Sequence, residues 1–321
     1  MLELLNFNML PVLNLQKLTL SKANVSSGGS VPPVPNFKIK SGTYTGTGSG
    51  FSVSGLGFTP NFGFIKANDS TSNGGQIKWT GGLSSSESFD PTSSSSLVTD
   101  GIVSFDADGF TIGTNSTINT SSSTYSWVMM FIPSGYMEGG SYVGNGTSSN
   151  SVTALGNGDL LIIKRNGSSQ GGWIFGSNSP NRATWTTNNP SSVVSITGTG
   201  FTVNSTSSVV NSNGVTYLYF ILKVNPAWGE QSSYTGDGID GRNLALSFSP
   251  EFIWVKGNNT NSAPIFRSLN GNTGLNTTFW VANTAEGSNQ VQAFIPSGVE
   301  LGNGFEVNQI SKSYDYLILK N

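Results

Sequence analysis

The chain of 321 residues contains no cysteine and no histidine. The first absence excludes disulfide bonds and thiol chemistry, and the second removes the commonest general base and the commonest ligand of zinc and copper. Charged residues make up only 10% of the chain, against about 25% in typical soluble domains. The 15 basic and 17 acidic residues are scattered singly, so the chain offers no basic stripe for binding nucleic acid.

Helix-forming sequence is scarce as well. Gly (41 residues), Ser, Thr and Asn take the place of charged residues, and these residue types favour turns, caps and strands. Hydrophobic residues still amount to 36%, with 19 Phe and 7 Trp, which is enough for packed cores. No stretch of ten residues combines a helical period with capping residues. The composition therefore predicts an all-β protein.

Three similar segments follow one another along the chain. Each begins with a Tyr-x-Gly-x-Gly motif and continues to a short apolar run that ends in lysine (FGFIK, LLIIK and FIWVK). The distance from tyrosine to lysine is the same in each, because 66−44, 164−142 and 256−234 all equal 22. Each segment then contains a Gly-Phe motif before a Tyr-led apolar strand. The residues that define the repeat are Tyr44, Lys66 and Phe110, then Tyr142, Lys164 and Phe201, then Tyr234, Lys256 and Phe305.

The repeat predicts three tandem β-sandwich units of the jelly-roll or immunoglobulin-like type, because many short strands separated by Gly, Ser and Asn loops are typical of sandwiches. Unit 1 is expected over 41–135, unit 2 over 136–226 and unit 3 over 227–321. Residues 1–40 are predicted to form an extended N-terminal anchor that ends in a Gly- and Pro-rich linker. Its apolar segment is suited to docking into the sheet of another protein or to folding back as a strand on the first sandwich.

The motif residues have simple structural interpretations. Glycines that tolerate positive φ predict a tight entry to the first strand of each unit. The tyrosine ring is expected to pack against the edge of the unit while its hydroxyl stays in water, although a tyrosine platform for a ligand is the alternative. The three lysines are expected to end their strands, where a charge ends burial and discourages edge pairing.

Few residues suggest chemistry. Trp79, Trp173 and Trp185 lie between polar residues, as in surfaces that bind sugars or proteins; core packing at the ends of the sandwiches is the alternative. Asp106 and Asp108 form a weak calcium candidate, but the other two segments lack both aspartates, which favours a turn. We expect no catalytic residue, no metal and no cofactor.

One resemblance narrows the function. Unit 1 reads Tyr-Thr-Gly-x-Gly, then Gly-Phe-x-Pro-x-Phe-x-x-x-Lys, then Ser-Phe-Asp-x-Asp-Gly-Phe and an aromatic strand. This order resembles a repeat found in structural proteins of tailed bacteriophages. Unit 3 keeps FSPEFIWVK without the acidic turn, and unit 2 lacks the Pro-x-Phe element, so its membership depends on the internal spacing. The resemblance implies a non-enzymatic component of the virion.

The sequence therefore predicts a tail-associated fibre or adhesin of a phage virion, whose Ser- and Asn-rich loops contact a host surface polysaccharide. Residues 1–40 are expected to bind other virion proteins, and the chain is expected to form a homo-oligomer, with a trimer favoured. The N-terminus resembles neither a signal peptide nor a membrane span, so we expect no membrane partner. A capsid decoration or head-fibre protein is the alternative of the same class. A glycan-degrading tail enzyme and a cellular adhesin are the alternatives of other classes.

Overall fold

Each repeat unit folds into two antiparallel sheets, an inner sheet of four strands (five in unit 3) and a three-stranded outer sheet. The fold is taken from a computed structural model. It describes residues 36–68, 75–90, 97–166, 172–176, 193–257, 264–272, 278–279 and 287–321. For 172–176 and 278–279 it describes the backbone alone.

Unit 1 sets the pattern of strands. The inner sheet contains, in spatial order, β1 (Lys38–Thr45), β7 (Thr124–Phe131), β3 (Phe62–Ala67) and β4 (Gly75–Trp79). The outer sheet contains β2 (Phe51–Ser54), β6 (Gly109–Ile112) and β5 (Ile102–Asp106). A one-turn helix, α1 (Ser116–Asn119), leads from the outer sheet into β7.

Units 2 and 3 repeat the same order of strands. The inner sheet of unit 2 contains β8 (Met137–Val143), β14 (Thr216–Leu222), β10 (Leu160–Arg165) and β11 (Gly172–Gly176), and its outer sheet contains β9 (Asn150–Thr153), β13 (Gly200–Val203) and β12 (Val194–Thr197). The inner sheet of unit 3 contains β15 (Gly229–Thr235), β22 (Ser313–Leu319), β17 (Phe252–Gly257), β18 (Ile265–Ser268) and the short additional strand β19 (Thr278–Phe279). Its outer sheet contains β16 (Arg242–Ala245), β21 (Gly298–Leu301) and β20 (Val291–Ile295), and α2 (Phe305–Asn308) precedes β22. The prediction of an all-β protein built from sandwich units is confirmed.

The three inner sheets meet in one core, which we call the shared core. In β3, Phe62 and Phe64 point into the shared core, whereas Ile65 and Ala67 point into the sandwich of unit 1. The central strands β10 and β17 alternate in the same way. This explains the continuous apolar runs, because a strand that buries both faces carries apolar side chains over most of its length. Residues Pro35–Asn321 accordingly form one compact body.

Contacts between the units close into a ring, since the ring of Tyr136 in unit 2 lies 6.0 Å from that of Trp228 in unit 3 and unit 1 contacts both. The ring of Phe62 lies 4.6 Å from that of Phe220, which joins unit 1 to unit 2. The ring of Phe64 lies 4.5 Å from that of Phe266, which joins unit 1 to unit 3. The side-chain amide of Asn321 accepts a hydrogen bond from the backbone N–H of Ile39 and donates one to its carbonyl oxygen. The last strand of the chain is thereby fixed beside the first.

The ring has two distinct ends. The first residues of the central strands converge on one apolar cavity with the last residues of β14 and β22, and we call this the base end. The opposite end, where β1, β8 and β15 finish and the Tyr-x-Gly-x-Gly motifs begin, is the tip end. The described chain enters at the base end, at Phe37, whose ring stacks on that of Trp228.

One alignment made from the sequence is wrong. Phe110 and Phe201 lie on β6 and β13 and are buried, but Phe305 lies on α2 with 45% of its surface exposed. The equivalent of Phe110 in unit 3 is Val299 on β21, which is fully buried. Four alternating residues are compatible with one helical turn as well as with a strand, so the pattern around Gly304 could not separate the two.

The shared core predicts how the protein unfolds. Replacement of Phe220 by alanine removes a ring that packs against Phe62 and Trp79 of the neighbouring unit. We expect the free energy of unfolding to fall by about 3–5 kcal/mol, in one cooperative transition for all three units. Urea unfolding followed by tryptophan fluorescence and by circular dichroism checks this. Val143→Ala, at a position that is 58% exposed, is the control and should change stability by less than about 0.5 kcal/mol. Separate transitions for the units would contradict the prediction.

Candidate functional site

The tip end carries the feature that the sequence repeats most faithfully, a pair of stacked tyrosines in each unit. The tyrosine of each motif stacks on a second tyrosine, which lies at the start of the last strand of the inner sheet. Ring centroids are 5.2 Å apart for Tyr44 and Tyr125, and the other two pairs, Tyr142–Tyr217 and Tyr234–Tyr314, have nearly the same separation. Offset stacking of this kind adds about 0.5–1.5 kcal/mol to the burial of the rings.

The motif tyrosines do not keep their hydroxyls in water, which corrects the expectation from sequence. The hydroxyl of Tyr142 donates a 2.6 Å hydrogen bond to the carbonyl oxygen of Val210, and Tyr44 and Tyr234 make the equivalent bond to Ile118 and Val307. Burial raises the pKa of all three phenols well above the usual value, and the neighbouring tyrosine of each stacked pair adds to the shift. These tyrosines are therefore structural anchors of the loops.

A buried asparagine in each unit holds the loop that follows the tyrosine. In unit 1, the Oδ1 atom of Asn119 accepts a hydrogen bond from the N–H of Thr47, and its Nδ2 atom donates to the carbonyl oxygen of Ser49, both at 2.8 Å. Asn211 and Asn308 make the equivalent pair of bonds in units 2 and 3. These three residues are at most 1% exposed, and a buried amide that is fully hydrogen-bonded fixes one loop conformation.

Sequence reasoning missed these asparagines, although a signal was present. Each lies six residues before the second tyrosine of its pair, since 125−119, 217−211 and 314−308 all equal 6. This spacing, unlike the Gly-Phe motif, aligns α1 with α2 correctly.

The two glycines of each motif are required for different reasons. At the first glycine, a Cβ atom would overlap a carbonyl oxygen of the facing turn, which belongs to Thr120 in unit 1. The second glycine has positive φ in every unit, 74° at Gly48, 68° at Gly146 and 74° at Gly238. Only glycine adopts this conformation without a steric cost. The tight entry predicted from the motif is therefore observed, although it follows the first strand of each unit.

The three repeated lysines do not end burial, which corrects the expectation for Lys66, Lys164 and Lys256. They lie on the face of the central strand that points to the shared core and are at most 6% exposed. Each Nζ atom donates to the carbonyl oxygen of the next residue at 3.1–3.2 Å. Burial, with a smaller contribution from the adjacent cation of Arg165, lowers the pKa of Lys164 to about 8. Asp315, directly opposite Lys256 on β22, is buried as well.

The tryptophan surface expected from the sequence is not formed by Trp79. This side chain is 1% exposed and packs in the shared core against Phe89 and Phe220, so the core-packing alternative is correct at this position. Trp173 lies on β11, where the backbone alone is described, and Trp185 lies outside the described residues.

The two aspartates of the calcium candidate stabilise the β5–β6 hairpin and the segment that follows β2. Asp106 accepts hydrogen bonds from the hydroxyls of Ser104 and Thr111, and Asp108 accepts from the backbone N–H groups of Gly55 and Gly57. Within the described ranges, no three Asp or Glu side chains come together to hold a metal ion. The geometry favours the turn interpretation.

Two pockets lie at the seams between units. Lys38, Lys40 and Phe58 of unit 1 line the first with Glu251 of unit 3. The second lies between units 2 and 3, where Phe248 takes the place of Phe58. Its charged lining residues are Asp159 and Glu230. Because the first pocket has two lysines and the charged residues of the second are both acidic, the two pockets are not copies of one ligand site.

Comparison with known families identifies part of the chain. Residues 35–130 match the family described as a domain of unknown function, DUF7483. The matched range begins just before β1 and ends one residue before the end of β7, so the DUF7483 match covers one structural unit, unit 1. No curated protein matches the chain. Among the described residues, no helix is long and apolar enough to cross a membrane.

Steric overlap at the first motif glycine predicts a large effect of a small substitution. Gly46→Ala places a methyl group against the carbonyl oxygen of Thr120 and should cost about 3 kcal/mol of unfolding free energy. Gly55→Ala is the matched control, because Gly55 has positive φ but open space around it, so only the backbone strain of about 1–2 kcal/mol applies. Thermal and urea unfolding measure both variants. A loss for Gly46→Ala that is no larger than the loss for Gly55→Ala would contradict the predicted cost of the overlap.

The buried phenols predict loss of stability in alkali. The pKa of Tyr142 is raised in the folded protein, whereas an unfolded tyrosine titrates near pH 10. Stability is therefore complete below about pH 10 and falls above it, by up to about 1.4 kcal/mol per pH unit for each buried tyrosine. Urea unfolding at a series of pH values from neutral to alkaline checks this. Tyr142→Phe should cost about 1 kcal/mol at neutral pH and reduce the slope in alkali; an unchanged slope would contradict the assignment.

Proposed function

We propose that the protein is a non-enzymatic structural component of a tailed-phage virion, placed as a tail-associated fibre or adhesin. The observation that carries the proposal is the repeated order of motifs in unit 1, which resembles the virion repeat, together with its threefold copying around one shared core. The match of unit 1 to a family of unknown function names no activity.

The two ends of the ring suit an attached, projecting module. The described chain enters at the base end, where Phe37 stacks on Trp228 and Asn321 bonds to Ile39. The last residues of the predicted anchor, 38–40, therefore belong to β1 of unit 1. The loops held by the three asparagines lie at the opposite end. In this proposal, residues 1–40 bind other virion proteins and the tip end faces away from the particle.

The proposal also includes contact between the tip end and a host surface polysaccharide. The exposed tip loops carry hydroxyl and amide groups, such as Thr47 and Ser49 in unit 1 and Asn145 and Thr147 in unit 2. Fixed loops with such groups can exchange hydrogen bonds with sugars at a low entropic cost. Trp79 takes no part in this contact because it is buried.

Two other functions remain as alternatives. A capsid decoration or head-fibre protein would use the same fold and the same anchor. A glycan-degrading tail enzyme would need two carboxyl groups across one cleft; the absence of histidine leaves carboxylates as the main candidates for acid–base chemistry. A homo-oligomer belongs to this proposal as an expectation, with the trimer favoured by the sequence and the twofold dimer inferred below as its two alternative forms.

Labelling of virions tests the proposal. Virions carrying an epitope tag after Asn321 are labelled with gold-conjugated antibody and viewed by negative-stain electron microscopy. Gold at the tail supports the tail-associated proposal, gold at the capsid supports the alternative of the same class, and virions without label contradict both. A deletion of residues 1–35, which keeps Phe37 and β1 in place, should abolish incorporation; a deleted protein that still co-purifies with particles would contradict the anchor.

A second assay separates binding from catalysis. The purified protein is incubated with host polysaccharide, and new reducing ends are measured alongside co-sedimentation. We expect binding without release of reducing ends. Release that grows with time and with protein concentration would establish the enzyme instead.

A further inference from the structure

The tip of unit 3 differs from the other two tips in a way that the shared fold does not require. Three large apolar side chains are exposed there: Ile239 (62%), Phe305 (45%) and Ile310 (67%). Ile239 follows the second motif glycine, Phe305 opens α2 and Ile310 lies just beyond α2. Among the described residues, only Val143 and Leu269 are other large hydrophobics with comparable exposure. We call the three residues the apolar tip.

The three residues are held close together by the buried asparagine of this unit. The Nδ2 atom of Asn308 donates to the carbonyl oxygen of Ile239 at 2.9 Å, and Asn308 is the last residue of the turn that Phe305 begins. A Cβ atom on Gly238 would lie 3.5 Å from the Cβ atom of Ile310. The apolar tip is therefore a fixed surface on two linked loops.

The equivalent positions in units 1 and 2 are polar. Counting from the second tyrosine of each pair, Phe305 corresponds to Ser116 and Ser208, and Ile310 corresponds to Ser121 and Asn213. Counting from the first tyrosine, Ile239 corresponds to Ser49 and Thr147. The tip can thus be built with serine at all three positions, as unit 1 shows. Exposed apolar side chains weaken solubility without adding to the core, so their grouping at one tip indicates a contact surface.

We propose that the apolar tip of unit 3 is a self-association surface through which two copies of this chain meet about a twofold axis. Charges of both signs border it: Arg242 pairs with Asp237 at 3.5 Å, Glu306 lies within α2, and Lys312 follows it. A border with both signs can be complementary to itself, whereas a border of one sign would repel a second copy. The net charge of −2 adds little repulsion between copies.

The size of the patch sets the strength of the contact. A stable interface buries roughly 800 Å² on each partner, whereas even a large aromatic side chain contributes only about 150–250 Å². Three partly exposed side chains fall short of that area, so the dimer is reversible, with a dissociation constant in the range of about 10–100 μM.

Sedimentation velocity of the purified full chain tests the proposal, over a range from about 1 to about 200 μM that spans this dissociation constant. We expect the sedimentation coefficient to rise with concentration from monomer toward dimer. The variant Ile239→Ser/Phe305→Ser/Ile310→Ser copies the tip of unit 1 and should weaken dimerisation by about tenfold or more, with unfolding midpoint and circular dichroism unchanged. The control variant Ser49→Ala/Ser116→Ala/Ser121→Ala alters the tip of unit 1 and should dimerise as the parent does.

Three outcomes would overturn the proposal. The parent protein could stay monomeric at every concentration, or it could associate equally well with and without the three serine substitutions. It could also form the trimer expected from the sequence, with no dimer at any concentration. Flotation with phosphatidylcholine vesicles forms a separate arm: binding that the serine variant loses, in a parent that does not dimerise, would assign the apolar tip to a membrane surface instead.

Discussion

The fold depends on the burial of both faces of the three central strands. One face of each strand packs in its own sandwich and the other packs in the shared core, where Phe62, Phe220 and Phe252 lie. A unit taken alone would expose its inner face to water, at about 25 cal/mol for each Å² of apolar surface. Three units that cover one another remove this cost together. The repeats therefore act as parts of one body. Each unit depends for its stability on the other two, because they cover its inner face.

The burial of the inner faces also leads to a lysine at the tip end of the shared core in every unit. The inner faces of the central strands are apolar up to Phe64, Ile162 and Trp254, and the next residue on each face is a lysine. A buried ammonium group needs hydrogen-bond acceptors, and the carbonyl oxygen of the following residue supplies one in every unit. Because the same bond occurs in all three units, it is a feature of this position in the fold and not of one particular loop.

At the tip end, the residues that hold the loops differ from the residues that vary between units. Tyrosine pairs, motif glycines and buried asparagines hold the tip loops in one conformation in all three units. The residues between them vary: Ser49 and Ser116 in unit 1 are matched by Ile239 and Phe305 in unit 3. Variable loop residues on a constant frame are the usual place for functional differences between related units.

Local period and constant spacing were sufficient to predict the all-β class, the three units and the positions of the motif tyrosines and glycines. They misplaced Lys66, which a strand end suggested was at the surface, and they left Trp79 open between a contact surface and the core; both side chains are buried. Their burial depends on the neighbouring units, which no local pattern records. Phe305 was misplaced because four alternating residues fit a turn as well as a strand. Only the tertiary structure decided which face of each strand meets another unit, since that choice is made by packing between segments far apart in the chain.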